Sequence, residues 1–189
     1  MATTKIQAAP QTAKRSFSAG SVISAIGRWI VRNRIYLIAF AIPAVLTYLA
    51  YALFGLYPFG EESVLCLDLN GQYVYYFEAL RDAFWGDGSI FYNWSRNLSG
   101  EFMGIIGYYL ASPFTLIVML LPEKFMLSSL LIMQLCKLGA AGATFNYFLQ
   151  KRRGVQPYPS LLFSTMYAMM AYGVIQLIDP MWLDGLVFL

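Results

Sequence analysis

The sequence predicts an all-α polytopic membrane protein, with three transmembrane helices, the start of a fourth, and interfacial helices in the first outer loop. Three observations carry this. Hydrophobic residues make up 59% of the chain and charged residues 12%, with a mean hydropathy of +0.56, well away from the balance of a soluble domain. Long apolar stretches recur from residue 35 onward. The charge also changes sign along the chain, from a basic amino-terminal tail to an acidic stretch over residues 57–124.

The tail, residues 1–34, carries Lys5, Lys14, Arg15, Arg28, Arg32 and Arg34 and no acid, the pattern of a cytoplasmic flank. Its first part is rich in Ser, Thr, Ala and Gln, which predicts disorder. Val22 to Arg34 suits a basic amphipathic turn or two against anionic lipid. Residues 35–56 contain no charge over 22 positions, and at the α-helical rise they span about 33 Å, enough for a hydrocarbon core of about 30 Å. This is transmembrane helix 1, with a kink expected at Pro43. Ala50 and Ala52 imitate a signal-peptidase site, but the 34-residue flank and the long apolar core argue against cleavage.

Residues 57–124 carry Glu61, Glu62, Asp68, Glu78, Asp82, Asp87, Glu101 and Glu123 against Arg81, Arg96 and Lys124, and read as an outer loop. Within it Leu69, Tyr73, Phe77, Leu80 and Phe84 recur at helical spacing opposite Asn70, Glu78, Arg81 and Asp82, so an amphipathic helix is expected on the membrane surface, aromatic face down. Gly86, Asp87, Gly88 and Ser89 end it, and Phe91 to Gly100 reads as an irregular loop. Phe102 to Leu121 is 20 residues without charge and long enough to span. A span there would send Lys151, Arg152 and Arg153 to the acidic side, against the positive-inside bias. Gly104, Gly107, Ser112 and Pro113, with Tyr108 and Tyr109 at headgroup level, suit a broken interfacial helix instead.

Transmembrane helix 2, residues 125–149, contains Gly139, Ala140, Ala141, Gly142 and Ala143, small side chains that admit a neighbouring helix. Lys137 sits at its centre, where a charge costs about 2.5 to 3.5 kcal/mol. It requires an acidic or phosphate partner or water, and a structural ion pair or an anionic lipid head would both serve. A cytoplasmic loop, residues 150–159, is broken by Pro157 and Pro159. Transmembrane helix 3 follows over residues 160–178, and residues 179–189 form an outer turn with Asp179 and Asp184 and begin helix 4. Asp184 and Asp68 fall on the same side, so carboxylates from two loops are expected to share one outer pocket. The chain ends within an apolar run, as a piece of a longer protein would.

Several chemistries are excluded. The chain has no histidine, which removes Ser-His-Asp triads and His-containing zinc sites. Cys66 and Cys136 lie in a loop and an apolar run respectively, supporting neither a disulfide nor a metal. Neither a cofactor nor a nucleic-acid partner is indicated.

The ordered series DLNGQYVYYFEALRDAF, FYNWSRNLSGEFMG, YYLASPFTL, KLGAAGATFNYFL, YAMMAYG and MWLDGLVFL resembles the amino-terminal part of the YfhO family of bacterial membrane proteins. That family resembles glycosyltransferases of the GT-C fold, whose active site lies on the outer face and whose donors are sugars on polyprenyl phosphate. YfhO relatives are linked to sugar addition to envelope polymers such as teichoic acids. The resemblance implies a GT-C-like fold, a location in the bacterial cytoplasmic membrane with the amino terminus inside, and Asp68 as catalytic base. DLN is not the D-x-D metal motif, so no metal is implied. Under this reading Arg81, Arg96 and Lys137 are the cations available to a phosphate leaving group. Tyr73, Tyr108, Tyr109 and Trp94 are candidates to stack on sugars, although aromatic belts at membrane interfaces are the commoner reason for such residues. A transporter or flippase built around Lys137, and a non-catalytic envelope scaffold, are the competing classes.

Overall fold

The structure is a computed structural model that describes residues 19–95 and 100–188. Arg96 therefore lies outside the described residues, as does most of the basic tail. The chain divides into two units, residues 1–34 and residues 35–189.

Helix α1 runs over Ala19–Leu53 with Pro43 inside it. It begins well before the expected start at residue 35, because Val22 to Arg34 is helical throughout. A π-helical turn, Leu69–Tyr73, follows, continued by α2, Val74–Trp85. A two-residue hairpin pairs β1 (Tyr92–Asn93) with β2 (Gly100–Glu101) antiparallel. Short helix α3, Met103–Ile105, runs into a second π-helical turn, Ile106–Leu110. After a bend at Ser112 and Pro113 the chain forms α4, Thr115–Leu120. The stretch expected to be a broken helix is broken at Ser112 and Pro113, while Gly104 and Gly107 lie within helical turns.

Helix α5, Met126–Arg153, is the longest element of the second unit, and the rest of that unit is assembled on it. It stops at Gly154, whose φ of +65° is a left-handed conformation that side chains with a Cβ adopt at a cost. Lys151 to Arg153 occupy its last turn, where cations favour the helix dipole. Pro157 then opens α6, Pro157–Ala168, from the first helical turn. The sequence reads residues 160–178 as one span, and the structure differs. Helix α6 ends at Ala168, Met170 is extended, and α7 covers only Ala171–Ile175. The corner is closed by Gly173, where an added Cβ would stand 2.5 Å from the Ala168 carbonyl oxygen. A last helix, α8, covers Met181–Phe188.

Helices α1 and α5 are antiparallel, as matching contacts along both show. Tyr36 lies against Tyr147, Phe40 against Gly139, Ala39 and Pro43 against Gly142, and the Tyr51 hydroxyl donates to Gln134 Oε1 at 2.8 Å. The small residues of α5 do admit a neighbour: a Cβ on Gly142 would meet the Ala39 carbonyl oxygen at 2.5 Å.

Two clusters form the core. Leu69, Tyr73, Phe77 and Leu80 pack with Phe102, Ile105, Leu110 and Val118 over the first half of α5. Leu138 and Ala141 pack with Ala168 of α6 and with Leu183 and Leu186 of α8. The amphipathic face of α2 is therefore as the periodicity predicts, but it is covered by protein where lipid was expected, and only Phe84 at its end remains open, 62% exposed.

Candidate functional site

The site lies at the Gln134–Lys137 level of α5, where the chain before α8 is stitched down by two buried side chains one turn apart. Gln134 Nε2 donates to the Leu177 carbonyl at 2.7 Å, and Lys137 Nζ donates to the Pro180 carbonyl at 2.8 Å. These bonds hold residues 177–180 in place, and Asp179 with them. Lys137 also forms an ion pair with Asp184 Oδ2 at 2.9 Å. The other oxygen of Asp184 accepts from Ser112 Oγ at 2.9 Å, and the Phe114 ring centre lies 5.7 Å from the ammonium, within cation–π range. The charge that the sequence left with two possible partners is thus paired inside the chain.

The pairing expected between Asp68 and Asp184 is replaced by one with a different acid. Asp184 is turned to Lys137, and it is Asp179 that lies near enough to Asp68 to feel its charge. Burial first, and the charge of Asp68 second, push the Asp179 carboxyl above the usual carboxylate range. Asp68 itself is half-buried at the entry to the first π-helical turn and accepts from Gln72 Nε2 at 2.9 Å. The residue before it, Leu67, has φ +46°, a sparsely populated conformation for a branched side chain. Strain of this kind persists where the surroundings over-determine it, and such places are often functional.

Tyrosines close the site from above. Tyr73 is fully buried, and its hydroxyl makes no hydrogen bond of full geometry. Burial, followed by the neighbouring Asp179 carboxylate, drives its pKa far above the ordinary value. Tyr109 stands edge-on to Tyr73 with ring centres 5.4 Å apart and packs against Tyr76 and Tyr108. Its pKa is raised by burial, then by those two tyrosines, then by Asp68 and Asp179. Tyr73 and Tyr109 both come from π-helical turns, irregularities that recur at functional sites.

The remaining sequence candidates lie elsewhere. Arg81 is committed to the end of α4, donating through one nitrogen to the carbonyls of Val118, Met119 and Leu121, a role that caps an otherwise open helix terminus. Tyr108 is exposed on the rim. Sequence reasoning missed Gln72, Gln134 and the choice of Asp179 over Asp184. The spacing of Gln134 and Lys137, three residues apart on one helix, matches that of Leu177 and Pro180, and this was the available signal. Among the described residues no three His, Cys, Asp or Glu side chains converge.

Two helices long and apolar enough to cross a bilayer, Gly20–Leu53 and Glu123–Arg153, with a buried ion pair at the middle of the second, are those of a helical membrane protein. The family described as bacterial membrane protein YfhO matches residues 39–189, and the chain belongs to that family. No curated protein and no solved structure matches it.

Proposed function

We propose that this chain supplies the acidic half of the active site of a membrane glycosyltransferase of GT-C type, which transfers a sugar from a polyprenyl-phosphate donor to an envelope polymer such as teichoic acid on the outer face of the cytoplasmic membrane. The observation that supports this is that Asp68 and Asp179, from two separate loops, lie close enough to feel each other's charge, beside Tyr73 and Tyr109. A sugar on a lipid phosphate presents its reacting carbon at headgroup level, so its enzyme needs a polar recess at the interface.

Asp68 acts as the base. As the acceptor hydroxyl attacks the anomeric carbon, its proton passes to the Asp68 carboxylate, and the lipid phosphate departs with the bonding pair. Asp179 binds its proton more tightly than an isolated aspartate beside Asp68, and Gln72 donates to Asp68. Lys137 acts at one remove, fixing the segment that bears Asp179. With Arg81 and Lys137 in internal bonds, Arg96 is the cation proposed for the phosphate, on sequence grounds alone.

The test is sugar transfer in membranes holding the intact protein, labelled polyprenyl-phosphate sugar and envelope polymer, at matched abundance. General-base help is typically worth about a hundredfold or more in rate, so Asp68→Asn is expected to lose at least about that factor. Full activity in this variant would refute the assignment. Should Asp68→Asn transfer sugar normally while Lys137 variants block movement of a lipid-linked substrate, the transporter reading replaces it.

A further inference from the structure

A groove of about 870 Å³ opens beside the carboxylate pair, between α2 and the β1–β2 hairpin. Its size is in the range of small-molecule sites, and its lining combines three chemical kinds. Tyr75, Tyr92 and Trp94 supply ring faces, and Glu78, Asp82 and Asp87 supply carboxylates. Gln72, Asn93 and Ser95 add groups that both donate and accept. Neither lysine nor arginine is among its described lining residues, because Arg81, on the same helix, is turned away to the α4 carbonyls. Trp94 is 82% exposed and Tyr75 61% exposed, and the Trp94 ring is fixed edge-on to Tyr92, 4.8 Å between centres.

This lining discriminates between ligands. Among the described lining residues a polyphosphate would meet carboxylates and no fork of donors, and like charges in apposition reject a partner. The crowding of negative charge is felt by Glu78, whose pKa is raised by burial and then by Glu123 and Asp82. A bare cation would use the rings, carboxylates and amide oxygens but leave the amide N–H groups idle. Sugar rings use all three: their C–H faces lie on aromatic rings, their hydroxyls donate to carboxylates, and their oxygens accept from amides.

We propose that this groove binds a neutral glycan, with sugar rings lying on Tyr75, Tyr92 and Trp94 and hydroxyls donating to Glu78 and Asp82. Gln72 joins it to the carboxylate pair, since the same side chain lines the groove and donates to Asp68. This glycan is not the polyphosphate acceptor of the transferase reading, and its binding does not rest on that reading.

The test is saturation-transfer NMR on the intact protein in detergent, with maltotetraose, chitotetraose, poly(glycerol phosphate) and tetramethylammonium as probes. Expected is binding of at least one neutral oligosaccharide and none of the polyphosphate, with affinity falling at least about tenfold in Trp94→Ala. Trp94 is on the surface, so this variant does not threaten the fold, and Asp82→Asn is a second, independent lesion expected to weaken binding. The proposal is overturned if neither oligosaccharide binds, if only tetramethylammonium binds, or if both variants bind as wild type does. Glycan binding without any transfer to polymer would sink the transferase reading and leave the groove standing.

Discussion

Lys137 shows how a single residue can be expensive in isolation and stabilising in place. It is 2% exposed, and its ammonium is satisfied by Pro180, Asp184 and the Phe114 face. Removing one member of such a pair leaves the other charge uncompensated, at a cost of about 3 to 5 kcal/mol. Lys137→Met is therefore expected to lower thermal stability in detergent sharply, and the double variant with Asp184→Leu to recover much of the loss. A double variant no more stable than the single one would remove the ion pair from the account. Asp179 permits a prediction about pH. Its folded pKa is raised above the unfolded value, so folding takes up a proton. The matching stability is complete below the ordinary carboxylate pKa of about 4 and is lost as pH rises through the raised value. Asp179→Asn removes this titration. Compared with wild type between about pH 4 and pH 7, its melting temperature should decline less, and an equal decline would show that the two carboxyls are uncoupled. Asp68 was legible because it stands alone in a distinctive run, and Lys137 because a charge in an apolar helix demands a partner. The choice between Asp179 and Asp184 was not, since it depends on which one falls opposite Lys137 once the turn before α8 is folded.

At the scale of elements, the small residues of α5 and the break at Ser112 and Pro113 were readable because each acts through its own geometry. Gly142 makes the first testable: a methyl added there would stand 2.5 Å from the Ala39 carbonyl oxygen and 3.0 Å from the Pro43 ring, backbone and ring that yield little. Gly142→Ala is expected to cost about 1 to 3 kcal/mol, whereas Gly185→Ala, with nothing within 4 Å, should be neutral or better. Equal melting temperatures for the two would mean that α1 and α5 are not in close contact. The break between α6 and α7 was not readable. Neither glycine nor proline marks Met169 or Met170; the break is maintained from outside, by Gly173 seated on Ala168 and by the Thr47 hydroxyl on the Met169 sulfur at 3.7 Å. The covering of the α2 face by protein was hidden for a similar reason, because periodicity reports that a face is apolar and not what lies against it.

For the whole molecule, the antiparallel pairing of α1 with α5 and the charge distribution make one topological claim. Tyr36 lies beside Tyr147, so the chain just after the basic segment and the chain just before Lys151–Arg153 share one end, while Tyr51 and Gln134 share the other. If both helices cross the bilayer, the basic stretches on either side follow the positive-inside bias together, and the acidic loop with Asp68 faces outward. Cys66 lies two residues from Asp68 and is an exposed free thiol, and Cys136 is half-buried within α5. With Cys136 replaced by alanine, a membrane-impermeant maleimide added to intact cells should label Cys66. A cysteine placed at Arg152 in a Cys66→Ala background should be labelled only after the membrane is opened. Labelling of position 152 from outside, with Cys66 protected, would reverse the orientation and put the carboxylate pair on the cytoplasmic side, where an outer-face donor could not reach it. This experiment needs no substrate, so it tests the orientation on which the glycosyltransferase proposal depends before any sugar has been identified.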